Sequence, residues 1–269
     1  MDQMKQSLRV VVLLAALFGL PSLARSEEVR VLAAGAVQHA LSHLAPAFER
    51  STGHRLQAQF DTVGAQRDRV LAAPAGAVAD VVILSDAAIA ALGKASRLAP
   101  RPPVSVGQVV VALAVPKPAS SSVESSARDA MAVPPLRDED DLRRLLQSSR
   151  RIAYADPARG ATAGTHFAKV IDRLGLRDEL APRLTVLPFG VEVIAAVAQG
   201  QFDLGVSQSS EIMPHPGVRF VGGLPAPHML ATGYSAALGS DTVGARALLD
   251  FLASDAARQA WRDSGFVGR

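Results

Sequence analysis

Residues 79–84 read Ala79-Asp80-Val81-Val82-Ile83-Leu84, a short unbroken apolar run behind one acid. So short a run, rich in β-branched residues, fits a strand buried on both faces, as in the middle of a parallel sheet. Working backwards, Arg55 to Phe60 alternates polar and apolar residues as a half-buried strand does, and Val29-Arg30-Val31-Leu32 reads as another short strand. Helical spacing fills the gaps. Val37 to Arg50 sets Val37, Leu41, Leu44 and Phe48 on one face and ends at Thr52-Gly53, while Ala65 to Ala73 follows the turn Asp61-Thr62-Val63-Gly64. The order βαβαβ predicts an α/β fold with a mainly parallel sheet, helices on both faces and a ligand site at the carboxyl ends of the strands. The loops after Leu32, Phe60 and Leu84 are therefore the places to look.

Outward from this unit the alternation repeats. Arg151 to Tyr154 is a strand, Thr165 to Leu174 a helix ended by Gly175, Leu184 to Leu187 a strand, Val191 to Gln199 a helix stopped by Gly200, and Phe202 to Val206 a strand. Between the units, Gln108 to Val115 is an apolar strand ending at Pro116, and the mixed segment Met229 to Leu238 leads into a helix from Val243 to Ala253. A chain that leaves one α/β lobe by a strand and returns by another makes two lobes with a double crossover, which permits hinge closure over a cleft. The expected division is a first lobe at 27–111 and 235–269 and a second lobe at 112–234. Lys117 to Met131, rich in Ser, Ala and Pro, reads as a surface loop, and Asp138 to Gln147 as a short helix with a solvated face.

Composition narrows the chemistry. The 269 residues include no cysteine, which excludes disulfides, thiolate metal sites and cysteine nucleophiles together. Lys5 and Arg9 precede the apolar run Val10 to Leu20, and Pro21 with small residues at Ser22, Ala24 and Ser26 follows it, so residues 1–26 read as a secretory signal peptide too short to span a bilayer. Their removal takes away Lys5, Arg9, Arg25 and Asp2 and leaves the remainder close to neutral, so charge points to no nucleic acid. A periplasmic monomer is expected.

The blocks Val31-Leu32-Ala33-Ala34-Gly35-Ala36, Phe48-Glu49-Arg50-Ser51-Thr52-Gly53, Ala79-Asp80-Val81-Val82-Ile83, Asp156-Pro157 with Ala163-Gly164, Phe167-Ala168-Lys169, Leu174-Gly175-Leu176 and Asp203-Leu204-Gly205-Val206 run almost the length of the mature chain. As a set they resemble the periplasmic molybdate-binding proteins of ABC importers, within the two-lobed type II solute-binding class. The resemblance implies a small anion in the cleft, held without a cation by backbone amides at helix N-termini and by neutral hydroxyls, and a membrane permease as partner. Helix N-termini suit that task, since they offer unpaired N–H groups and a favourable dipole. Carried over, the family's hydroxyls fall at Ala36 and Val63 and its tyrosine at Gln208, while the second lobe's backbone donors fall near Ala163 and at Gly190. Two missing hydroxyls leave oxyanion lone pairs unpaired at roughly 1–3 kcal/mol each, which argues against molybdate or tungstate.

The loop Asp156 to His166 is longer than the family's turn and suggests a larger anion, a small carboxylate for example, clamped by Arg159 with hydroxyls from Thr162 and Thr165. The candidate ligand-binding set is therefore Gly35, Ala36, Thr62, Val63 and Gly64 from the first lobe, and Arg159, Thr162, Ala163, Gly164, Thr165, Gly190 and Gln208 from the second. Ser207, Ser209 and Ser210 add neutral donors, and Asp61 is expected to face outward. Some relatives of this family resemble aconitate isomerase, and for that alternative Glu192 and His166 are the candidates for proton transfer beside a carboxylate. His39 and His43 have the i, i+4 spacing of a helical metal pair, but no HExxH pattern accompanies them, and His54, His215 and His228 lack partners in sequence. Neither metal nor cofactor is expected.

Overall fold

The computed structural model describes residues 26–117 and 136–268. All but the last residue of the expected signal peptide at 1–26, and nearly all of the Ser/Ala/Pro-rich segment, lie outside the described residues. In chain order the elements are β1 (Glu28–Ala34), α1 (Gln38–Thr52), β2 (Arg55–Asp61), α2 (Val63–Ala72), β3 (Val81–Ser85), α3 (Asp86–Lys94), β4 (Val104–Pro116), α4 (Glu139–Ser148), β5 (Ile152–Ala155), α5 (Thr162–Arg173), α6 (Arg177–Leu180), β6 (Leu184–Leu187), α7 (Gly190–Ala198), β7 (Leu204–Gln208), α8 (Ser209–Ile212), β8 (Val218–Gly223), β9 (Ala231–Leu238), α9 (Val243–Leu252) and α10 (Asp255–Asp263).

The strands run in the order β2-β1-β3-β9-β4-β7-β5-β6, with β8 also on β4. This is two sheets sharing one strand. β2, β1 and β3 are parallel, and β9 joins β3 antiparallel. The first half of β4 pairs with β9 and the second half with β7 and β8, while β7, β5 and β6 are parallel. Every residue of β3 is buried, as its unbroken apolar run requires, whereas the alternating β2 sits at an edge and exposes every other side chain.

The chain passes between the sheets along β4 and again through residues 224–230. The two passes are tied together at one residue, since Leu224 N–H donates to the Val111 carbonyl at 3.0 Å and Val111 N–H donates to Leu230 at 3.1 Å. β9 belongs to the first sheet from Ala231 onward, so residues 231–234, assigned to the second lobe from sequence, pack with the first. The elements α3, α6, α8, α10 and β8 were not foreseen; α3 is short and follows a strand without a glycine or proline to announce it.

Two large cores result. One holds Phe48, Ile83, Leu84, Tyr234 and Trp261 around the first sheet. The other lies between the second sheet and α4 and α5, with Leu113, Leu142, Leu146, Phe167 and Ile171, and a smaller cluster under α7 covers the opposite face with Val193, Ile194 and Val197. Each such side chain contributes roughly 1.5–3 kcal/mol on burial, so each lobe has its own apolar support. Among the described residues no helix is long and apolar enough to cross a membrane.

Candidate functional site

The carboxyl ends of β1, β2, β5 and β7 face one another across the junction of the two sheets and enclose a cavity of about 40 Å³. From the first lobe it is lined by Ala34, Gly35 and Ala36 at the end of β1, by Asp61, Thr62 and Val63 at the end of β2, and by Tyr234 of β9. The second lobe supplies Ala155, Ala161 to Ala163, Phe189, Gly190, Ser207, Gln208 and Glu211. Since one water needs about 10–15 Å³ by the same measure, the space suits a few waters or a compact ligand.

Three helices begin here. Val63 opens α2, Thr162 opens α5 and Gly190 opens α7. The first-turn N–H groups of a helix have no partner within it, and neither α5 nor α7 receives a side-chain cap. The same ends carry the positive poles of the helix dipoles. α2 differs. Its cap Thr62 accepts from the Ala65 amide and donates across the lobes to the Arg159 carbonyl, so that hydroxyl is committed to closure rather than left for a ligand.

Closure is written in a small set of contacts. Gly64 N–H donates to the Gly160 carbonyl at 3.2 Å, and a Cβ at Gly64 would stand 2.8 Å from the Gly160 Cα, so the two backbones touch. Beside them Arg159 pairs with Asp61 at 2.9 Å and lies over the Phe189 ring at 4.8 Å.

Several expectations are corrected by this arrangement. Arg159 does not line the cavity, because Asp61, which does line it, holds the guanidinium across the lobe junction. Gly64 serves lobe contact. Gly164 serves packing, since a Cβ there would run into the Ala155 carbonyl, and Thr165 does not line the cavity either. Glu192 is exposed on α7, and His166 Nε2 bonds to the His228 carbonyl at 2.8 Å, so neither proposed proton-transfer residue reaches the space between the lobes. Gly35, Ala36, Thr62, Val63, Thr162, Ala163, Gly190 and Gln208 all line it. Of the neighbouring serines, Ser207 lines it, whereas Ser209 is tied to Val110 and Gly265.

The residues that sequence reasoning missed carry the site's chemistry. Tyr234, one of two tyrosines in the chain, is 1% exposed and sets its hydroxyl beside Thr162 and Gln208. It brings a phenol from β9 to the region where the resembled family has its tyrosine at the position of Gln208. Burial, and then the neighbouring Glu211, push its ionisation above the ordinary phenol range, so it remains a neutral donor. Gln208 is 3% exposed and lies against that hydroxyl and the first turn of α8, yet neither Nε2 nor Oε1 completes a hydrogen bond of good geometry. The amide faces the cavity, where a ligand atom can complete its hydrogen bonding.

Glu211 is the second missed residue. Its Oε2 accepts from Ser207 Oγ and from the Gln208 amide, the latter at 3.2 Å. Protein surrounds it on nearly all sides, and burial raises its carboxyl above the usual range despite those two hydrogen bonds. It also borders an outer groove with Gln38, His39, Ser42, His43, Ser210 and His215, through which part of its surface meets solvent. In that groove His39 and His43 stack at 5.3 Å, with His39 Nδ1 on Ser264 Oγ at 3.0 Å. Among the described residues no three His, Asp or Glu side chains are grouped to hold a metal ion.

Comparison with known proteins agrees with this architecture. A family model described as bacterial extracellular solute-binding protein matches residues 29–267. An aconitate isomerase from Pseudomonas sp is 30% identical over 244 residues, which are 87% of this chain and 86% of that protein. The periplasmic molybdate-binding protein of Azotobacter vinelandii superposes with a TM-score of 0.68 at 18% identity, covering 90% of this chain and 99% of that one. The substrate binding domain of a putative molybdenum ABC transporter from Clostridium difficile gives 0.62 at 18% identity, covering 91% and 100%.

Proposed function

Because the chain belongs to the bacterial extracellular solute-binding proteins, we propose that it is exported, captures a compact anion between its lobes and presents the closed form to a membrane permease. The observation that carries this reading is that α2, α5 and α7 all begin at the cavity wall, the last two without side-chain caps. Such ends stabilise negative charge through several amides at once. The two acids in the lining do not cancel the effect. The charge of Asp61 is offset by Arg159, and burial raises the ionisation of Glu211 above the usual carboxylate range. Ligand contacts on both lobes drive closure only to the extent that they are made in the closed form alone.

Size chooses among anions. A cavity of about 40 Å³ admits an oxyanion or a short carboxylate, whereas pockets for larger organic ligands run to about 300–1,000 Å³. The test is a thermal-shift panel of molybdate, sulfate, acetate, succinate and trans-aconitate, with putrescine as the cationic control. A ligand present at a hundred times its Kd adds about 2.7 kcal/mol, which raises the Tm of a chain this size by roughly 5–10 °C. A panel in which putrescine alone shifts the transition would refute the reading.

A second reading is favoured by the 30% identical isomerase together with Glu211, a carboxyl inside the cavity that can hold and return a proton. Moving a double bond in a tricarboxylate removes a proton from one carbon and adds one to another. A tricarboxylate requires the lobes to stand further apart than here. Following trans-aconitate by NMR decides: turnover lost in Glu211→Gln but kept in Glu192→Gln and His166→Ala establishes the enzyme, and no turnover by the native chain removes it.

A further inference from the structure

We propose that anion capture is coupled to protonation of Glu211, whose Oε1 is the acidic donor that selects the ligand. The inference rests on the anion-binding reading and deepens it.

The two oxygens of Glu211 are not equivalent. Oε2 already accepts from Ser207 and from the Gln208 backbone N–H, while Oε1 points to the first lobe, where a Cβ at Gly35 would stand 3.1 Å from it. A proton on this carboxyl therefore belongs on Oε1, next to the loop after β1. Gly190 on the other side leaves room for the pair, since a Cβ there would collide with Oε2 and with Ser207 Oγ. Two glycines, one from each lobe, thus make a seat for one carboxyl, and beside it the buried side chain of Gln208 faces the cavity. This is a built site with a donor shortage on the ligand side.

The surroundings supply no fixed charge to hold Glu211 ionised once an anion is present. Among the described residues the cavity lining contains no Lys, Arg or His. Of the elements packed on α8, β4, β7 and the turn at Gly35–Val37 carry no titratable side chain, α7 carries only the exposed Glu192, and β8 only the exposed Arg219. Tyr234 faces Glu211 from β9 and stays neutral, and Asp61 is paired with Arg159. On the outer groove stand His39, His43 and His215, with the ionisation of His39 lowered by burial and by His43. An ionised Glu211 would oppose an anion beside it, so binding takes up a proton wherever the free protein has lost it. Because Glu211 borders the groove as well as the cavity, that proton has a path from solvent while the lobes stay shut.

The experiment is calorimetry on the mature chain with sulfate, molybdate, acetate, succinate and trans-aconitate, between about pH 5 and about pH 8, in buffers of low and high ionisation enthalpy. The expected result is an affinity that falls by roughly tenfold or more across that range, with up to one proton taken up at the upper end. Glu211→Gln should bind with an affinity that no longer changes with pH and with no proton uptake. Ser207→Ala, which removes a hydrogen bond favouring the ionised form, should move the midpoint of the pH dependence upward. Anion binding without proton uptake, or the same pH dependence in the Gln variant, overturns the coupling and leaves the anion reading intact. If none of these anions binds at any pH, or putrescine binds instead, both fall.

Discussion

Asp80 and Glu211 are both carboxylates enclosed by protein, at opposite ends of the strands, and their surroundings differ in one respect. Asp80, before β3, receives the Arg30 amide at 2.8 Å, the Arg30 guanidinium at 2.9 and 3.0 Å and the Ser240 hydroxyl at 2.6 Å. Every lone pair that matters is met. Burial alone would raise its ionisation, but Arg30 and Ser240 together hold it below the ordinary carboxylate range. Glu211, at the cleft, has two donors on one oxygen, no cation beside it and a raised ionisation. The lesson is that polar satisfaction marks the joints of the scaffold, and its shortfall marks the place where a ligand completes the count.

The contrast is broken most severely by Asp80→Asn, which leaves the Arg30 amide and guanidinium facing an amide. Unfolding in denaturant should show a loss of about 3 kcal/mol, with unchanged ligand specificity. The two acids also bend the stability curve in opposite senses. Asp80 has a depressed ionisation in the fold, so its contribution is complete above the ordinary value of 3.8 and disappears as pH falls through the folded value. Glu211 has a raised one. The folded chain keeps a proton that the unfolded chain releases, so stability declines as pH rises from the ordinary 4.5 through the folded value. Asp80→Asn should flatten the acid limb of stability against pH and Glu211→Gln the limb above it; exchange of those two effects would invalidate the contrast.

Next in size is Gly190→Ala. Its Cβ displaces the Glu211 and Ser207 side chains, so a loss of about 2 kcal/mol in stability should accompany loss of anion binding. Wild-type affinity in this variant would show that the seat between the glycines has no part in capture.

Gly64→Ala separates closure from stability. The new methyl meets backbone atoms of Arg159 and Gly160 at 2.9 and 2.8 Å, which cannot move aside as a side chain can. Alanine also suits the first turn of α2 better by up to about 1 kcal/mol, so the unliganded Tm should hold or rise. Affinity should fall by roughly tenfold, or about 1.4 kcal/mol, because the closed form is pushed apart. A falling Tm with unchanged affinity would mean that the lobes do not meet at Gly64.

How much of this was legible in sequence follows from the same contrast. Periodicity locates strand ends and so the loops after Leu32 and Phe60, which line the cavity, along with the loop after Leu84, which does not; Ala36, Val63 and Gly190 came from the family resemblance and do line it. The family resemblance and the two-lobed architecture were readable because blocks such as Ala79-Asp80-Val81-Val82-Ile83 record burial on two faces. Glu211 was not readable, since Ser207-Gln208-Ser209-Ser210-Glu211 has the composition of an exposed turn and nothing local says that both lobes enclose it. Tyr234 left a fainter trace, the scarcity of tyrosine combined with its absence where the family carries one. Arg159 was misread because its partner Asp61 is 98 residues away, and only the fold brings them together.

That pair gives the smallest and most discriminating effect. Arg159 and Asp61 retain 39% and 20% of their side-chain exposure, so solvent screens them, and exposed pairs contribute about 0–1 kcal/mol. Had the guanidinium clamped the ligand, its loss would cost several kilocalories, as truncating one member of a buried charged contact does. Arg159→Ala should therefore weaken binding by only about two- to fivefold, through a less favoured closed form. The same change in an Asp61→Ala background should add little further, because the partner is already gone. Salt should erase much of the difference, as expected of a partly solvated pair. A hundredfold loss that persists at high salt and in the Asp61→Ala background would place Arg159 on the ligand after all, and with it a cation in a cleft that otherwise offers backbone amides, a phenol and one buried carboxyl.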